Sequence, residues 1–306
     1  QVGKEQGLAE AMRYLAEQQR VSRRADLALL GKGGDSARPL DTCIVGCGMI
    51  AQEHLKILAR MDNARVRAVC DVSREAAEQL AARFGIEGAY DDLEEMLDRE
   101  RPSVLHVLTP PQSHLAVAEA ALSRGCHVLV EKPMAVNASD ARCLAALATD
   151  GAMLCVDHNK LYDPVVVKAR RLVESGQVGR VLWVETYCGL DLGNNPASRY
   201  MLPGGESHWT FDLPGGLFQN LAPHPLGLAL DFLGKPTEVS AWATDGKVLP
   251  HAEVDELRIG LTTPTAGGVV TVSIAASPRL EYLTIFGLYV ISPRVFGILK
   301  DHISQN

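Results

Sequence analysis

Two patterns along the 306-residue chain predict an α/β protein with two domains. From about residue 41, short apolar runs alternate with helical stretches, which is typical of a parallel sheet covered by helices on both faces. After about residue 157 the apolar runs are longer and partly alternating, and turns rich in Gly, Pro and Asp separate them. We therefore expect a doubly wound parallel sheet followed by an α+β domain with an open, mainly antiparallel sheet. A length of about twice that of a typical domain fits this division.

Residues 1–40 are predicted to be a helical extension and linker. Leu8, Met12 and Leu15 lie on one face of a predicted helix, and the following segment GKGGDSARP is typical of a flexible polar linker. A single apolar stripe on such a helix favours docking on the protein's own body or on another subunit. We expect no functional site in this extension.

Residues 41–157 carry the predicted parallel sheet. Its strands are the apolar runs TCIVG, VRAVC, SVLHVL, CHVLV and MLCV. The stretches SREAAEQLAARFG and SHLAVAEAALSRG between them are predicted helices, because each begins near a serine that can cap a helix and ends in a glycine that can close one.

Residues 158–306 make up the predicted second domain. Its strands are GRVLWVETYCG, TEVSAWAT, DELRIGLTT, GGVVTVSIAAS and EYLTIFG. The helix DPVVVKARRLVESG precedes them, and a second helix, LGLALDFLG, lies between the first two strands. This order of elements predicts an α+β domain.

Composition excludes several classes of protein. The net charge is −7 and Lys and Arg form no run, so the chain lacks the basic patch that binds nucleic acid. No stretch has the length of a membrane span, and the N-terminus lacks a secretory pattern. The seven cysteines are scattered without a C-x-x-C pair, and we expect them to be reduced core residues of a cytoplasmic protein. No histidines have the spacing of metal ligands, so no metal site is expected.

A glycine-rich turn gives the first chemical signal. In TCIVGCGMIAQEHLKIL, a strand leads into Gly46-x-Gly48-x-x-Ala51 and then a helix. Gly46 permits a tight turn, Gly48 lets the backbone approach a pyrophosphate, and the helix N-terminus offers N–H groups to the phosphates. Asp71 ends the second strand and can accept both ribose hydroxyls of an adenosine while repelling a 2′-phosphate. We expect NAD, and favour it over NADP although Arg74 can in principle pair with a 2′-phosphate.

Lys132 gives the second signal, in the step Glu131-Lys132-Pro133 that follows the strand CHVLV. Ligands of doubly wound sheets bind at the carboxyl ends of the strands, where an ammonium can polarise or protonate an oxygen near a nicotinamide. From these residues alone, a surface charge pair accounts for the lysine equally well.

The order of these motifs resembles the Gfo/Idh/MocA oxidoreductases, the family of glucose-fructose oxidoreductase and inositol dehydrogenase. The matching stretches are GCGMIA, CD, TPPQSH and EKPMAVN, and the resemblance runs from about Thr42 to about Gly287. It implies a Rossmann domain followed by an open antiparallel sheet used for substrate binding and oligomer contacts. It also implies hydride transfer between a nicotinamide and a hydroxyl carbon of a sugar, nucleotide sugar or cyclitol.

The resemblance also implies the cofactor-binding residues. Glu131 would bind the nicotinamide ribose, Lys132 would be the catalytic lysine, and Pro133 matches a proline that family members often hold cis. The full set of positions is Gly46, Gly48, Met49, Ile50, Asp71, Thr109, Pro110, His114, Glu131, Lys132 and Asn159. Tyr162 is a further candidate that lines the substrate pocket or packs at the domain junction.

The segment GGLFQNLAPHPLGLALDFLG departs from the family pattern. Family members carry an Asp and, four residues later, a His on one helix face, where the pair takes the proton of the reacting hydroxyl. Here Asn220 replaces the Asp, His224 is kept, and Gly227 replaces a further acid. Asn220 cannot ionise but can bond a hydroxyl or orient an imidazole, so His224 is the predicted base, together with Lys132. A histidine bonded to backbone, or a site that binds NAD without turnover, is the alternative.

Two prolines complicate the geometry of this segment. Pro223 and Pro225 lack N–H groups, and Pro225 disfavours helical φ and ψ at His224. We therefore expect a kinked or late-starting helix across residues 220–230, which would redirect His224. Just upstream, His208 and Trp209 are candidate substrate contacts, or else a loop histidine and a half-buried tryptophan.

The leading hypothesis is an NAD-dependent oxidoreductase that acts on a sugar or polyol hydroxyl. One alternative keeps NAD bound and uses transient oxidation for elimination or glycoside cleavage, and another is a regulatory protein that binds NAD without catalysis. The resemblance and the open sheet predict a homo-oligomer. After EYLTIFG the chain reads LYVISPRVFGILKDHISQN, where family members continue through further sheet, so the C-terminal region is expected to be shortened or incomplete.

Overall fold

The computed structural model describes residues 39–148, 151–190, 208–245, 254–274 and 287–291. These residues form two compact units that divide between Asp157 and His158. The predicted N-terminal helix with Leu8, Met12 and Leu15, most of the predicted strand EYLTIFG and the chain after residue 291 lie outside the described residues.

The first unit contains a six-stranded parallel sheet in the order β3-β2-β1-β4-β5-β6. Its strands are β1 Leu40–Val45, β2 Ala64–Cys70, β3 Gly88–Tyr90, β4 Val104–Val107, β5 His127–Val130 and β6 Leu154–Val156. All predicted strands are present, and the doubly wound sheet is confirmed. The short β3 was not predicted, because three residues are too few to show a pattern.

Helices cover this sheet: α1 Met49–Leu58, α2 Arg74–Phe84, α3 Leu93–Glu100, α4 His114–Leu122 and α5 Ala138–Leu147. Helix α1 buries Ala51, Leu55 and Leu58 in a core with Ile44 and Val69 from the sheet. Each large apolar side chain buried in this way contributes about 1.5–3 kcal/mol. The turns at the carboxyl ends of β1 and β4 are thereby anchored to a rigid core.

The predicted helix caps differ in outcome. Ser73 caps α2 by accepting a hydrogen bond from the N–H of Ala76 at 3.2 Å, and Gly85 ends the helix with a φ of 66°. Ser113 does not cap α4, so this prediction was wrong. A 3₁₀ turn, Pro111–Ser113, precedes α4 and places Ser113 in a helical conformation, whereas a cap needs an extended one.

The second unit contains a mixed, mainly antiparallel sheet in the order β11-β7-β10-β9-β8. Its strands are β7 Trp183–Gly189, β8 Glu238–Asp245, β9 Val254–Thr262, β10 Gly267–Ser273 and β11 Gly287–Ile291. Only the β7–β10 pair is parallel among the strands described here. The predicted open sheet is confirmed, with a parallel pair at its centre that the sequence pattern did not reveal.

The described residues of the second unit include three α-helices: α6 Pro164–Glu174, α7 Gly216–Leu221 and α8 Pro223–Leu233. Helix α8 packs against β7 and β10. Strand β10 turns Val270 and Val272 into the core and leaves Val269 and Thr271 half-buried on the opposite face. None of the described helices combines the length and the apolar character that crossing a membrane requires.

Candidate active site

The turn after β1 requires glycine at position 46. Gly46 has a φ of +95°, and a Cβ at this position would lie 2.7 Å from the carbonyl carbon and oxygen of Leu108. Its N–H donates to Cys70 at 2.8 Å, while the N–H of Leu108 donates to Val45 at 2.8 Å. The packing of the protein itself therefore excludes any other residue here.

Gly48 is in a different situation. It is the N-cap of α1, with a φ of −71° and a ψ of −169°, and no atom lies within 4 Å of the position that a Cβ would take. No side chain caps this helix end, and its first turn carries no acidic residue. Met49 is 64% exposed and Ile50 half-buried, so the N–H groups of this turn can receive an anion.

Asp71 is held next to the glycine turn. Its Oδ2 accepts a hydrogen bond from the N–H of Cys47 at 2.8 Å, and its Oδ1 accepts one from the N–H of Ser73 at 3.0 Å. Arg74 lies nearby but pairs with acids, with Nε 3.3 Å from Asp91 and Nη1 3.9 Å from Glu78. The carboxyl end of β2 is therefore acidic, and its nearby arginine is already engaged.

His114 joins the loops after β4 and β5. Its side chain is fully buried, with Nε2 2.8 Å from the carbonyl oxygen of Thr109 and Nδ1 3.1 and 3.2 Å from those of Pro133 and Met134. Burial lowers the pKa of His114 below its usual range. With no exposed surface, this histidine acts on a ligand only through the loops it holds, where Thr109 is half-buried and Pro110 is exposed.

Glu131 and Lys132 follow β5. Glu131 is buried, and its Oε2 accepts a hydrogen bond from the N–H of Lys132 at 3.0 Å. The Lys132–Pro133 peptide is cis, and Lys132 itself is half-buried. The predicted lysine thus lies at the carboxyl end of a parallel strand, as expected.

Three residues that no sequence motif singled out form a connected group beside Glu131: His54, Asp157 and, in contact with His54, His106. The Nε2 of His54 on α1 lies 3.8 Å from Oε1 of Glu131 and 3.4 Å from Oδ2 of Asp157, and its Nδ1 lies 3.1 Å from Nδ1 of His106. Burial acts to lower the pKa of His54, but hydrogen bonds to Asp157 and Glu131 outweigh it and raise this pKa to about 9. Burial and the neighbouring His54 lower the pKa of His106 to about 4.

Each missed residue had a signal in the sequence. His54 occupies a position on the buried face of α1, between Ala51 and Leu58, and His106 interrupts the apolar strand β4. Asp157 directly follows β6, as Glu131 follows β5. In the part of the chain described, the ligand atoms of His54, Glu131 and Asp157 lie within 4.8 Å of one another, close enough to share a metal ion.

In the second unit, the 3₁₀ turn Asn159–Tyr162 packs on α8, and its Leu161 joins a small core with Leu228. Asn159 is exposed and Tyr162 is 49% exposed. Arg170 on α6 pairs with Asp231 on α8 at 2.8 Å and donates to the carbonyl oxygen of Leu161 at 3.1 Å. This arginine clamps the turn between the two helices.

The helix through His224 is interrupted, as predicted, but His224 keeps its direction. Helix α7 ends at Leu221, and α8 restarts with Pro223 as its first residue, where a proline costs no hydrogen bond. Ala222 between them keeps helical angles, φ −57° and ψ −31°. Asn220, buried, and His224, half-buried, therefore remain on one face, and the expected redirection was wrong.

Gly227 and His208 are placed by local contacts. A Cβ at Gly227 would lie 3.5 Å from Nδ1 of His158. The Nδ1 of His208 accepts a hydrogen bond from the N–H of Thr210 at 3.3 Å and caps the 3₁₀ turn Trp209–Asp212, which packs against α7. The rings of His208 and Trp209 lie 5.2 Å apart. His208 thus has a structural role beside the helix that carries Asn220.

Comparisons with known proteins cover most of the chain. Residues 40–158 match the model of an oxidoreductase family with an NAD-binding Rossmann fold, and residues 166–288 match the GFO/IDH/MocA C-terminal domain. Inositol 2-dehydrogenase of Salmonella typhimurium is 32% identical over 46% of this chain and 43% of its own length. D-glucoside 3-dehydrogenase of Escherichia coli K12 is 29% identical over 67% of this chain and 57% of its own.

Solved structures agree with the sequence relatives. The WlbA dehydrogenase of Bordetella pertussis, crystallised with NADH and UDP-GlcNAcA, superposes with a TM-score of 0.69 and 25% identity, covering 84% of this chain and 72% of its own. Among the curated relatives compared, the aligned part covers 38% to 66% of the relative's length.

Proposed function

The chain belongs to the Gfo/Idh/MocA family of oxidoreductases, and on this premise we propose that it transfers hydride between NAD and a hydroxyl carbon of a sugar, nucleotide sugar or cyclitol. The similar proteins named above support this substrate class, because they act on inositol or a glucoside or were crystallised with a nucleotide sugar. The specific substrate depends on loops of the second unit, which carry no general code.

Gly48 is the observation that carries the cofactor assignment. Its φ is ordinary and the space beside it is open, so neither the backbone nor the packing requires a glycine. A ligand that approaches the backbone closely does require one, as a pyrophosphate does at this position of a Rossmann turn. Gly46 nearby is needed by the fold itself, so the two glycines of the motif have separable roles.

The acids at the end of β2 favour NAD over NADP. Asp71 presents a carboxylate fixed by two backbone N–H groups, and Arg74 is paired with Asp91 and Glu78. A 2′-phosphate would meet like charges here and would have to draw Arg74 away from them. The ribose hydroxyls of NAD instead meet an acceptor already in place.

When bound, NAD supplies the acceptor for the hydride that leaves the substrate carbon. We assign the chain's own part to Lys132 and His224. The Lys132 ammonium holds the substrate oxygen and stabilises negative charge on it. The imidazole of His224 takes the hydroxyl proton as the C–O bond becomes a carbonyl. Asn220, on the same helix face, orients the imidazole or bonds a substrate hydroxyl.

The remaining proposals concern further ligand contacts, the cellular compartment and the oligomeric state. Thr109, Pro110 and Asn159 contact the cofactor, and Tyr162 and Trp209 contact the substrate. We also propose a cytoplasmic homo-oligomer that associates through the open sheet of the second unit. None of the seven cysteines forms a disulfide, which suits a reducing compartment. The outward face of the sheet carries the exposed side chains of Trp183 and Trp242.

The test of catalysis is NAD reduction across a panel of sugars, nucleotide sugars and cyclitols. We expect Lys132→Ala and His224→Ala each to lower turnover by about 10²- to 10⁴-fold while NAD still binds. Lys56→Ala is the matched control, because Lys56 pairs with Glu53 at the surface of α1 and should keep full activity. Full activity in both active-site variants would contradict the assignment.

The test of the cofactor site is Gly48→Ser. Serine is a good N-cap, so the melting temperature should be unchanged or higher, while the added side chain fills the space over the turn and weakens NAD binding. Calorimetric titration and thermal unfolding measure both effects. An unchanged NAD affinity would show that the ligand does not approach Gly48.

Asn220 favours a second candidate function, which is NAD binding without turnover. It stands where the family's carboxylate is expected, and it cannot accept a proton. Under this alternative the wild-type protein binds NAD but reduces none on any member of the panel, and Asn220→Asp adds the missing base. Turnover by the wild-type protein excludes it.

A further inference from the structure

We propose that His54 is a positioning residue, whose positive charge holds Glu131 in place for the cofactor by balancing the paired carboxylates of Glu131 and Asp157. The inference rests on the proposed function, because it assumes that Glu131 contacts NAD. The proposal gives a role to His54, Glu131 and Asp157, which lie outside the Gly-rich turn and are distinct from the catalytic lysine.

The backbone forces the two carboxylates together. Val130 and Val156 are direct partners in the parallel β5–β6 pair, so Glu131 and Asp157 are the next residues on adjacent strands. The N–H of Glu131 donates to Val107 at 2.9 Å, and that of Asp157 donates to Val130 at 2.8 Å. These bonds fix the main chain at both acids, so the carboxylates can separate only by side-chain rotation. Their side chains are only 12% and 18% exposed, so water screens their repulsion poorly.

The imidazole of His54 faces both acids, and its proton supplies the balancing charge in this proposal. Its Nε2 points to Oε1 of Glu131 and Oδ2 of Asp157, and its Nδ1 lies 3.1 Å from Nδ1 of His106. An imidazole donates from both nitrogens only when it is protonated, and His106 can then accept as a neutral ring. The other charged groups beside His54 on α1, Glu53 and Lys56, pair with each other at the surface.

Both oxygens of Glu131 are thereby used. Oε1 faces His54, and Oε2 accepts the N–H of Lys132 at 3.0 Å. Loss of the positive charge leaves the buried carboxylate of Glu131 and the half-buried one of Asp157 with oxygens within 4.8 Å of each other, and Glu131 is the one whose rotation also releases the Lys132 amide. The orientation of Glu131 and of the Lys132 amide therefore depends on a side chain from α1.

The test is a double-mutant cycle in which calorimetric titration measures the affinity for NAD. His54→Gln should weaken binding by about tenfold, since it leaves two unbalanced carboxylates. Asp157→Asn in the same chain removes the second carboxylate and should restore the affinity to within about threefold of wild type. Asp157→Asn alone keeps the His54–Glu131 pair and should change little. Lys56→Gln is the control on the same helix.

A purely structural role for His54 predicts a different pattern. In that case the second substitution adds its own loss, so absence of rescue in the double variant would overturn the proposal. An unchanged affinity of His54→Gln would overturn it too. If the wild-type protein binds no NAD, the proposed function fails, and the ring titration below still decides whether His54 carries the charge.

NMR of the histidine rings of the wild-type protein tests the charge of His54 without NAD. Variants are needed only to assign the ring signals. The His54 ring should stay protonated through neutral pH and titrate near 9, while His106 stays neutral until about pH 4. Titration of His54 below pH 7 would overturn the proposal. So would tight binding of Zn²⁺ alone that His54→Gln abolishes, since the three residues would then be metal ligands.

Discussion

The thiols of Cys43, Cys70 and Cys126 are buried and that of Cys47 is half-buried, and this removal from water dominates their chemistry. It raises the pKa of Cys43, Cys47 and Cys126 to about 12 and that of Cys70 to about 11. The thiolate is the reactive form of cysteine, so these side chains hold almost none of it at pH 8.

We therefore predict that Cys143, which is exposed on α5, is the first thiol to react with Ellman's reagent at pH 8. Cys143→Ser should remove the rapid phase, and Cys126→Ser should leave it intact. A rapid phase that survives in the Cys143 variant would show that one of the sheet thiols is open to solvent.

The two coupled histidines predict how stability depends on pH. His54 has a pKa near 9 in the folded protein against an ordinary 6.5, so its contribution is complete below pH 6.5 and is lost as the pH rises to 9. His106 has a pKa near 4, so the unfolded chain takes up its proton first and stability falls as the pH drops from 6.5 to 4.

The free energy of unfolding should accordingly be greatest near pH 6.5 and decrease by about 2 kcal/mol toward pH 9. Urea unfolding at pH 5, 6.5 and 9 measures it. His54→Gln should flatten the alkaline side, and His106→Asn the acid side. An alkaline decrease of equal size in the His54 variant would assign that decrease to other groups.

At the residue scale, the sequence revealed groups that act through local spacing. Gly46, Gly48 and Asp71 follow a motif whose meaning depends on strand and helix context nearby, and the structure places them together. His54, His106 and Asp157 meet only because two strands and one helix converge. No spacing rule connects residues 54, 106 and 157, although a histidine on an apolar helix face was a visible signal.

At the level of elements, the prolines beside His224 interrupt the helix, as predicted, but do not redirect His224. Pro223 does interrupt the helix, because it begins a new one. Ala222 nevertheless keeps helical angles, so Asn220 and His224 stay on one face across the break. The direction of His224 depends on how α8 packs against the sheet, and local sequence rules do not predict that packing.

The Arg170–Asp231 pair should stabilise the second unit. Asp231 is nearly buried and Arg170 also holds the carbonyl of Leu161, so Arg170→Ala leaves a carboxylate and a carbonyl without these bonds. We expect a loss of about 1–3 kcal/mol in the free energy of unfolding, measured by urea denaturation. Arg170→Ala with Asp231→Ala should cost less than the sum of the single changes. Simple additivity would contradict a direct pairing.

On the scale of the whole molecule, the division into two units and the class of each sheet followed from the sequence. The alternation of strand and helix predicts parallel strands, because crossovers need helices. The parallel β7–β10 pair and the added edge strand β11 escaped prediction. Pairing between strands far apart in sequence is set by packing and leaves no periodic trace.

The open face of the second sheet should be an interface between copies of the chain. Trp242 is 56% exposed on β8 and lies opposite Arg258 of β9, with Tyr187 and Thr271 on the same face. Aromatic and arginine side chains are enriched at the centres of such interfaces.

We predict that Trp242→Glu lowers the molar mass measured by size-exclusion chromatography with light scattering. The melting temperature of the variant should equal that of the wild-type protein. Val165→Glu, at a 74% exposed position at the start of α6, is the control and should not alter the mass. A wild-type protein that already runs as a monomer would contradict the proposed assembly.

The carboxylate of Asp71 is ordered before any ligand arrives, since two backbone N–H groups fix both of its oxygens. Binding a ribose there restricts no further rotamer of Asp71. The entropic cost of ordering a mobile acid on binding is therefore absent. Replacement by Glu keeps the charge but places the carboxylate one methylene further out, beyond those two amides. Charge alone therefore does not define this position, and a cofactor-specificity redesign that moves the acid also gives up its preorganisation.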